Sequence, residues 1–484
     1  MDHTKTKIVS TIGPASEAED KIRELVKAGV SIFRLNTSHD KEEVHKKRIE
    51  TIRKVSAELK TTVGVLVDLQ GPKIRVGNLK EPKQLENGQI VKLKPSIEEE
   101  EGFIPVDYFG IVEDVAKGDR ILLDDGKLEL RVVSTHGTYL TAEVVHGGLL
   151  KKRKGLNIPG STASLSAVTE RDVHFIKFAV ENNADYVALS FVRERDDILK
   201  AKQYIKDFGG NIPVVAKIEK PQAVKNLNAI ITAADAVMVA RGDLGIELSI
   251  EEVPIVQKQI VKEANAQRKG VIVATQMLES MIEQPLPTRA EASDVANAII
   301  DGADAVMLSG ETAMGAYPVE AVSMMTTIAG SLEKSKCLHL NHYVHSHEVY
   351  DLDSQAICSA IIQMLDAVEV SAIVAFTKTG YTARMLSKAK PSVPIIAFTH
   401  DQTVCNRLNL FWDVYPRVIS EKKMKATDLL AKVDEILIKE KSLNAGDKVL
   451  ITGGMSFISS KIGRTNFIKL HQIGATSTIY AKGE

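Results

Sequence analysis

Cysteine is scarce: 484 residues carry only Cys337, Cys358 and Cys405. Their spacing fits neither a metal-binding pair nor a disulfide framework, which excludes a disulfide-stapled scaffold and suits a reducing compartment. No stretch approaches the ~20 consecutive apolar residues that a membrane-spanning helix needs. The opening residues, MDHTKTKIVSTIG, lack the apolar core of a secretion signal and enter a strand-like run almost at once. Neither sign of charge prevails, since 62 basic and 63 acidic residues leave a formal net charge of -1. Such balance gives no bulk attraction to nucleic acid or to an acidic membrane. A cytoplasmic protein with soluble metabolites as partners is the expectation.

What is present is ordinary globular material, 44% hydrophobic and 26% charged, in a chain too long for a single core. Eight strand-like runs stand out: Lys7 to Ile12, Val30 to Leu35, Val63 to Leu69, Tyr186 to Phe191, Ile212 to Ile218, Ala236 to Ala240, Val271 to Thr275 and Ala305 to Ser309. Between most of them lie segments such as EAEDKIRELVKAG and EEVPIVQKQIVKEANAQRKG. Their apolar positions recur at three and four, giving each helix one buriable face. This alternation favours a closed (β/α)8 barrel, a TIM barrel, over an open doubly wound sheet. AADAVMVARG and GADAVMLSG echo one another, too briefly to establish a duplication.

Residues 73–157 are patterned differently. GQIVKLKP and GDRILLDDGKLELRVVSTHGTYLTAEVVHGG alternate apolar and polar positions between turn residues, as half-buried antiparallel strands do. A small β-barrel-like domain inserted after the third barrel strand is expected, placed to act as a lid over the mouth. The barrel then comprises 1–72 and 158–345. After the polar stretch LHLNHYVHSHEVYDLDS, read as a linker rather than a metal site, 346–484 form a C-terminal α/β domain. Its first helix is expected to be capped by Asp353 or Ser354.

In a β/α barrel the C-terminal strand ends meet at one mouth. Lys217, Glu219, Arg241, Asp243, Thr275 and Glu311 end or follow four of the runs and are expected to share a pocket. Glu219 and Asp243, two hard carboxylates, suit Mg²⁺ or Mn²⁺. Lys217 lies two residues before Glu219 and so on the same side of a strand. It faces a phosphate or enolate, or pairs with Glu219, and the two readings are compatible. Its replacement by Met is expected to spare folding and remove turnover. Gly242 and Gly245 flank Asp243 and would permit tight turns with N–H groups aimed at an anion. FRLNTSH sets Arg34, Asn36 and Ser38 on one side, with His39 just beyond. DLQGPKIR offers Asp68, a rigid exit at Gly71-Pro72, and the charges of Lys73 and Arg75. TKTGYT, from Thr377 to Thr382, reads equally as a phosphate nest or as a capped turn, and it lacks the ending of a Walker loop.

These segments, together with STIGPAS, ALSFVR, ATQMLESM and TRAEASDVANAIIDGADAVMLSGETAMG, occur in the order of the pyruvate kinase family, which the chain resembles over essentially its whole length. The resemblance implies transfer of the phosphoryl group of phosphoenolpyruvate to ADP, giving pyruvate and ATP in glycolysis. It implies a divalent metal on Glu219 and Asp243, and Lys217, Arg34, Thr275 and Arg75 as catalytic residues. Phosphoenolpyruvate would meet Gly242, Asp243, Thr275, Lys217 and Ser190, and the nucleotide Arg34, Asn36, His39 and Arg75. Asn36, Ser38, Asp68 and Leu69 correspond to the monovalent-cation region. Lys73, with Leu69, Gln70 and Val76, looks like the branch that does not require K⁺, its ammonium standing in for the ion. Thr377, Lys378, Thr379, Gly380 and Thr382 would hold the phosphate of a sugar-phosphate or nucleotide effector. A cytoplasmic homotetramer under allosteric control is implied as well. Thr37, Asp40 and the late loop TGGMSFISSKIGRT depart from the usual pattern, and the loop bears on which effector binds. A metal-dependent lyase acting on a pyruvate enolate is the rival enzyme, separable by its indifference to ADP. A metabolite-sensing or scaffolding protein is the rival without chemistry.

Overall fold

The computed structural model describes residues 4–160, 165–335, 351–419, 426–454 and 465–475. The histidine-containing stretch before Asp351, Cys337 and residues 455–464 of the late loop lie outside them. Eight parallel strands close into a barrel: β1 (Lys7–Thr11), β2 (Val30–Asn36), β3 (Gly64–Asp68), β4 (Tyr186–Leu189), β5 (Val214–Ile218), β6 (Ala236–Ala240), β7 (Gly270–Ala274) and β8 (Ala305–Leu308). Each pairs with its sequence neighbours and β8 returns to β1, with Lys7 opposite Ala305. The strands carry apolar residues on both faces because both faces are covered. Val9, Ile32, Leu66, Val215 and Met238 fill the interior, while Ile8, Phe33, Val65 and Val214 pack outward against the helices.

All eight runs read from the sequence are strands, their ends shifted by at most two residues. One trim matters. The seventh strand stops at Ala274, and Thr275 and Gln276 follow with φ of 70° and 52°. The echo between AADAVMVARG and GADAVMLSG also has a cause, shared with NNADYVALS. In each segment an aspartate precedes an even-numbered strand and accepts an N–H from the first or second residue of the strand before it. Asp185 takes Val65 N at 2.7 Å, Asp235 takes Val214 N at 2.8 Å and Asp304 takes Val271 N at 2.8 Å.

Between β3 and the helix Glu170–Glu181 the chain builds the inserted domain. Its strands Ile90–Pro95, Ile104–Val106, Arg120–Leu123, Leu128–Thr135, Leu140–His146 and Leu156–Asn157 form one mostly antiparallel sheet. A separate apolar core that includes Leu93, Ile121 and Leu130 holds it together. The C-terminal sheet runs in the order Val414–Val418, Ile395–Thr399, Ala372–Phe376, Lys448–Gly453 and Phe467–Gln472, with only the last strand antiparallel. Its first helix starts at Leu352 and is capped by Asp351, which accepts from Ser354 N, not by Asp353 or Ser354. Leu408, Leu410 and Phe411 of this domain share one core with the barrel interior and close the barrel floor. The strand Val414–Val418 escapes a sequence reading because Pro416 breaks its pattern.

Candidate active site

Three barrel strands deliver the central charges. Asp68 ends β3, Arg34 lies in β2 and Lys217 in β5. Arg34 Nε donates to Asp68 Oδ2 at 2.6 Å, and Lys217 Nζ stands 3.3 Å from Oδ1 of the same carboxylate. The Lys217 ammonium also lies 2.9 Å from Glu219 Oε1 and donates to Ser190 Oγ at 2.6 Å. Ser190 in turn donates to Leu69 O at 2.7 Å. Glu219 Oε2 accepts Phe191 N at 2.8 Å. Lys217 is therefore held by two carboxylates and a hydroxyl.

Burial raises the cost of every charge here, and the neighbours decide the outcome. Burial alone would raise the Asp68 carboxyl, but Lys217 and Arg34 outweigh it and hold it below the ordinary value. Burial would lower Lys217, yet Asp68, Glu219 and Asp243 together keep it well above a free lysine. Glu219 goes the other way. Its burial, reinforced by the charge of Asp243, raises it despite the pull of Lys217. A buried acid that its neighbour's charge makes harder to ionise suits a divalent cation, which relieves burial and repulsion together. Among the described residues no group of three His, Cys, Asp or Glu side chains forms a ready ligand set. Glu219 and Asp243 would thus be two ligands, with the other positions left to water and substrate oxygens.

The segment Arg241–Glu247 forms a short helix instead of the tight turns expected around Gly242 and Gly245. Asp243 lies in its first turn. Gly242 N donates to Thr275 Oγ1 at 2.7 Å, and that hydroxyl donates to Ala274 O at 2.6 Å. The left-handed turn at Thr275 and Gln276 is held by Arg241, which donates to Thr275 O at 2.7 Å and Gln276 O at 3.2 Å and pairs with Asp294 at 2.7 Å. Arg241 supports the site rather than facing into it. Glu311, also expected in the pocket, is fully buried and accepts Leu278 N and Ser309 N. Sequence places both beside the mouth but cannot say that backbone groups and, for Arg241, Asp294 occupy them.

The remaining candidates are spread around this centre. Asn36 Oδ1 accepts Ser38 N at 3.2 Å, and His39 beyond them is exposed. Arg75 donates to Arg153 O at 3.3 Å inside the inserted domain. Lys73 does not reach Asp68. Its side chain lies beside Gly155, and Asp68 takes its positive partners from Arg34 and Lys217. Arg193 donates to Leu165 O at 2.6 Å. In the C-terminal domain, Gly380 takes a left-handed φ of 85° and begins the helix Tyr381–Lys388. Thr377 is buried, Lys378 and Thr379 are exposed, and the Thr382 hydroxyl bonds that of Thr465 at 2.8 Å. Two side chains the sequence did not single out join the mouth: Lys220, the second lysine of KIEK, pairs with Glu247, the last residue of RGDLGIE.

Residues 3–322 match the family model of the pyruvate kinase barrel domain, and residues 355–471 that of the pyruvate kinase alpha/beta domain. Among curated relatives, the pyruvate kinase of Thermococcus litoralis is 42% identical over 97% of this chain and 98% of its own length. Pyruvate kinase 2 of Synechocystis is 42% identical over 97% of this chain and 80% of its own. The pyruvate kinase of Sporosarcina psychrophila is 40% identical over the same shares.

Proposed function

The chain belongs to the pyruvate kinase family, as an ATP-forming phosphotransferase of glycolysis, and from that premise we propose how its own residues carry the reaction. Phosphoryl transfer from phosphoenolpyruvate to ADP demands little covalent work from a protein. It demands positioning, and positive charge where the migrating group's charge collects. The observation that supports this reading is Asp68, which holds Arg34 and Lys217 as two fixed cations on its two oxygens. Held by carboxylates rather than by solvent, the two need little rearrangement as the phosphoryl passes between donor and acceptor.

Against the effect of burial, Asp68, Glu219 and Asp243 raise Lys217 and favour its charged form. It acts as a fixed charge and not as a proton donor to the enolate. Thr275, at a left-handed turn and accepting Gly242 N at its hydroxyl, would orient the substrate carboxylate and a water that protonates the methylene carbon. Asp243 N–H, one residue further along the same helix, would join it at that carboxylate. Glu219 and Asp243 would hold Mg²⁺ or Mn²⁺, which supplies Lewis-acid charge to phosphate and enolate oxygens when bound. Arg34, Asn36, His39 and, from the lid, Arg75 are assigned to the nucleotide. Closure of the domain spanning 73–157 keeps out water that would otherwise take the phosphoryl.

Independence from K⁺ is part of the proposal. Asp68 and its surroundings already hold two side-chain cations, whereas Lys73 stands off near Gly155. The effector site at Thr377, Lys378, Thr379, Gly380 and Thr382, the domain limits at 72, 157 and 345, a cytoplasmic location and a homotetramer complete the reading. Among the described residues no helix is long and apolar enough to cross a membrane. One coupled assay tests the core of it. Pyruvate should form only when phosphoenolpyruvate, ADP and Mg²⁺ or Mn²⁺ are all present, and at full rate in a Tris buffer free of K⁺. Pyruvate release without ADP would mean a lyase, and a rate that appears only with K⁺ would overturn the monovalent-ion assignment.

A further inference from the structure

Two linkers carry the inserted domain, and each meets the barrel mouth at a different side chain. On the way in, Gly71 has φ of 67° and lies flat on Phe191, where an added Cβ would come 2.6 Å from ring atom Cδ2. On the way out, Asn157 Nδ2 donates to Glu247 Oε1 at 3.2 Å. Lys220 joins the two contacts. Its ammonium sits 5.4 Å from the centroid of the Phe191 ring and pairs with the same Glu247 oxygen that Asn157 uses. Glu247 is buried, and its other oxygen, Oε2, has no hydrogen-bond partner among the described residues, so Lys220 and Asn157 carry the compensation of its charge.

Phe191 itself holds a left-handed φ of 56°, costly for an aromatic residue and sustained here by surrounding contacts. That backbone aims its N–H at Glu219 Oε2, 2.8 Å away. A cavity of about 50 Å³ separates the linkers, lined by Pro72 and Ile74, by Leu156 and Asn157, and by Phe191 and Lys220. The linkers thus have room to shift, and the side chains named here bridge the gap.

We propose that Lys220 is a positioning residue for the phosphotransfer reaction, fixing both lid linkers to the barrel mouth and, through Phe191, sharing that support with the Glu219 carboxylate. The inference deepens the phosphotransfer reading above and rests on it. Lys220 touches no reacting atom. It sets the angle at which the lid meets the mouth, and so how completely water is shut out when substrates are bound.

The linkers carry their own reporters, since Lys73, Arg75, Arg153 and Lys154 are tryptic sites. In limited proteolysis of the full chain, Lys220→Met should speed cleavage at these sites roughly tenfold, the effect of losing a charged hydrogen bond. Its kcat should fall while the KM for phosphoenolpyruvate stays within about twofold, because closure rather than ground-state binding is lost. Lys220→Arg should restore both. Asn157→Asp, which sets a second carboxylate against Glu247 and leaves Lys220 intact, should loosen the linkers in the same way. Wild-type cleavage rates in both Lys220→Met and Asn157→Asp would overturn the inference however active the enzyme. A wild-type protein unable to make pyruvate from phosphoenolpyruvate and ADP would instead sink the phosphotransfer reading, while the cleavage comparison would stand.

Discussion

Asp68, Lys217 and Glu219 are each more than nine-tenths buried, so none of their charges is stable without the others. Lys217→Met, expected from the sequence to spare folding, takes away the cation that Asp68 and Glu219 share. Removing the ammonium leaves Glu219 facing Asp243 with no cation, while Asp68 keeps Arg34. We predict that kcat falls by a factor of about 10² to 10³, the usual cost of removing one preorganised charge partner. The melting temperature should fall too. Glu219 is an acid raised by burial, so its penalty is full above its folded-state value and fades as pH drops toward the unfolded one. The stability deficit of the variant should therefore be largest near neutral pH and shrink toward about pH 5. Thermal unfolding across that range checks the sign, and a deficit that grows on acidification would contradict the assignment.

At the scale of elements, the barrel repeats one device at its floor. An aspartate ahead of β4, β6 and β8 accepts an N–H at the start of β3, β5 and β7, satisfying a buried donor where the strand begins. Asp185 also pairs with Arg53 at 2.7 Å. Asp185→Ala strands Val65 N in the core and should cost about 1–3 kcal/mol. Asp185→Asn keeps an acceptor and should cost less. Denaturant midpoints for the two variants test the order. This device was half legible: the repeated Ala-Asp before an apolar run is visible in three segments, but only the closed sheet reveals which strand each aspartate serves. The helix at Arg241–Glu247 was not legible, because two glycines in seven residues argue for a turn. Packing against Thr275 and Val253 overrides that preference.

Across the whole molecule, charge is buried where the C-terminal domain plugs the barrel. Lys388 lies fully inside, bonded to Asp304 and, at 2.8 Å, to Asn265. Lys390 sits 4.4 Å over the Trp412 ring and 3.8 Å from Asp304, with Asp413 and Glu333 also attracting it and Lys388 repelling it. Burial, only partly offset by Asp304, pushes Lys390 down to about 7. A lysine lowered by folding binds its proton better when unfolded, so stability should rise as pH climbs from about 7 toward the ordinary lysine value. Lys390→Met should flatten that rise and raise the melting temperature most at the acidic end of the window. Melting curves of the two proteins at matched pH decide it, and parallel slopes would refute the prediction.

By itself the sequence determined the class of fold and the inventory of the site. Apolar runs at strand length, helices with one apolar face and a stretch of strict alternation leave little choice but a barrel, an inserted sheet and a third domain. Acids and bases at the run ends name their chemistry through residue type alone. Only the tertiary structure decided which of them act together. Periodicity shows that a side chain points inward but not what it meets there, and bonding capacity is finite. Glu311 spends its own on backbone N–H groups and Arg241 on backbone carbonyls and Asp294, Lys73 lies near Gly155, and Lys220 spans two linkers whose contacts, at Gly71 and Asn157, lie 86 positions apart in the chain.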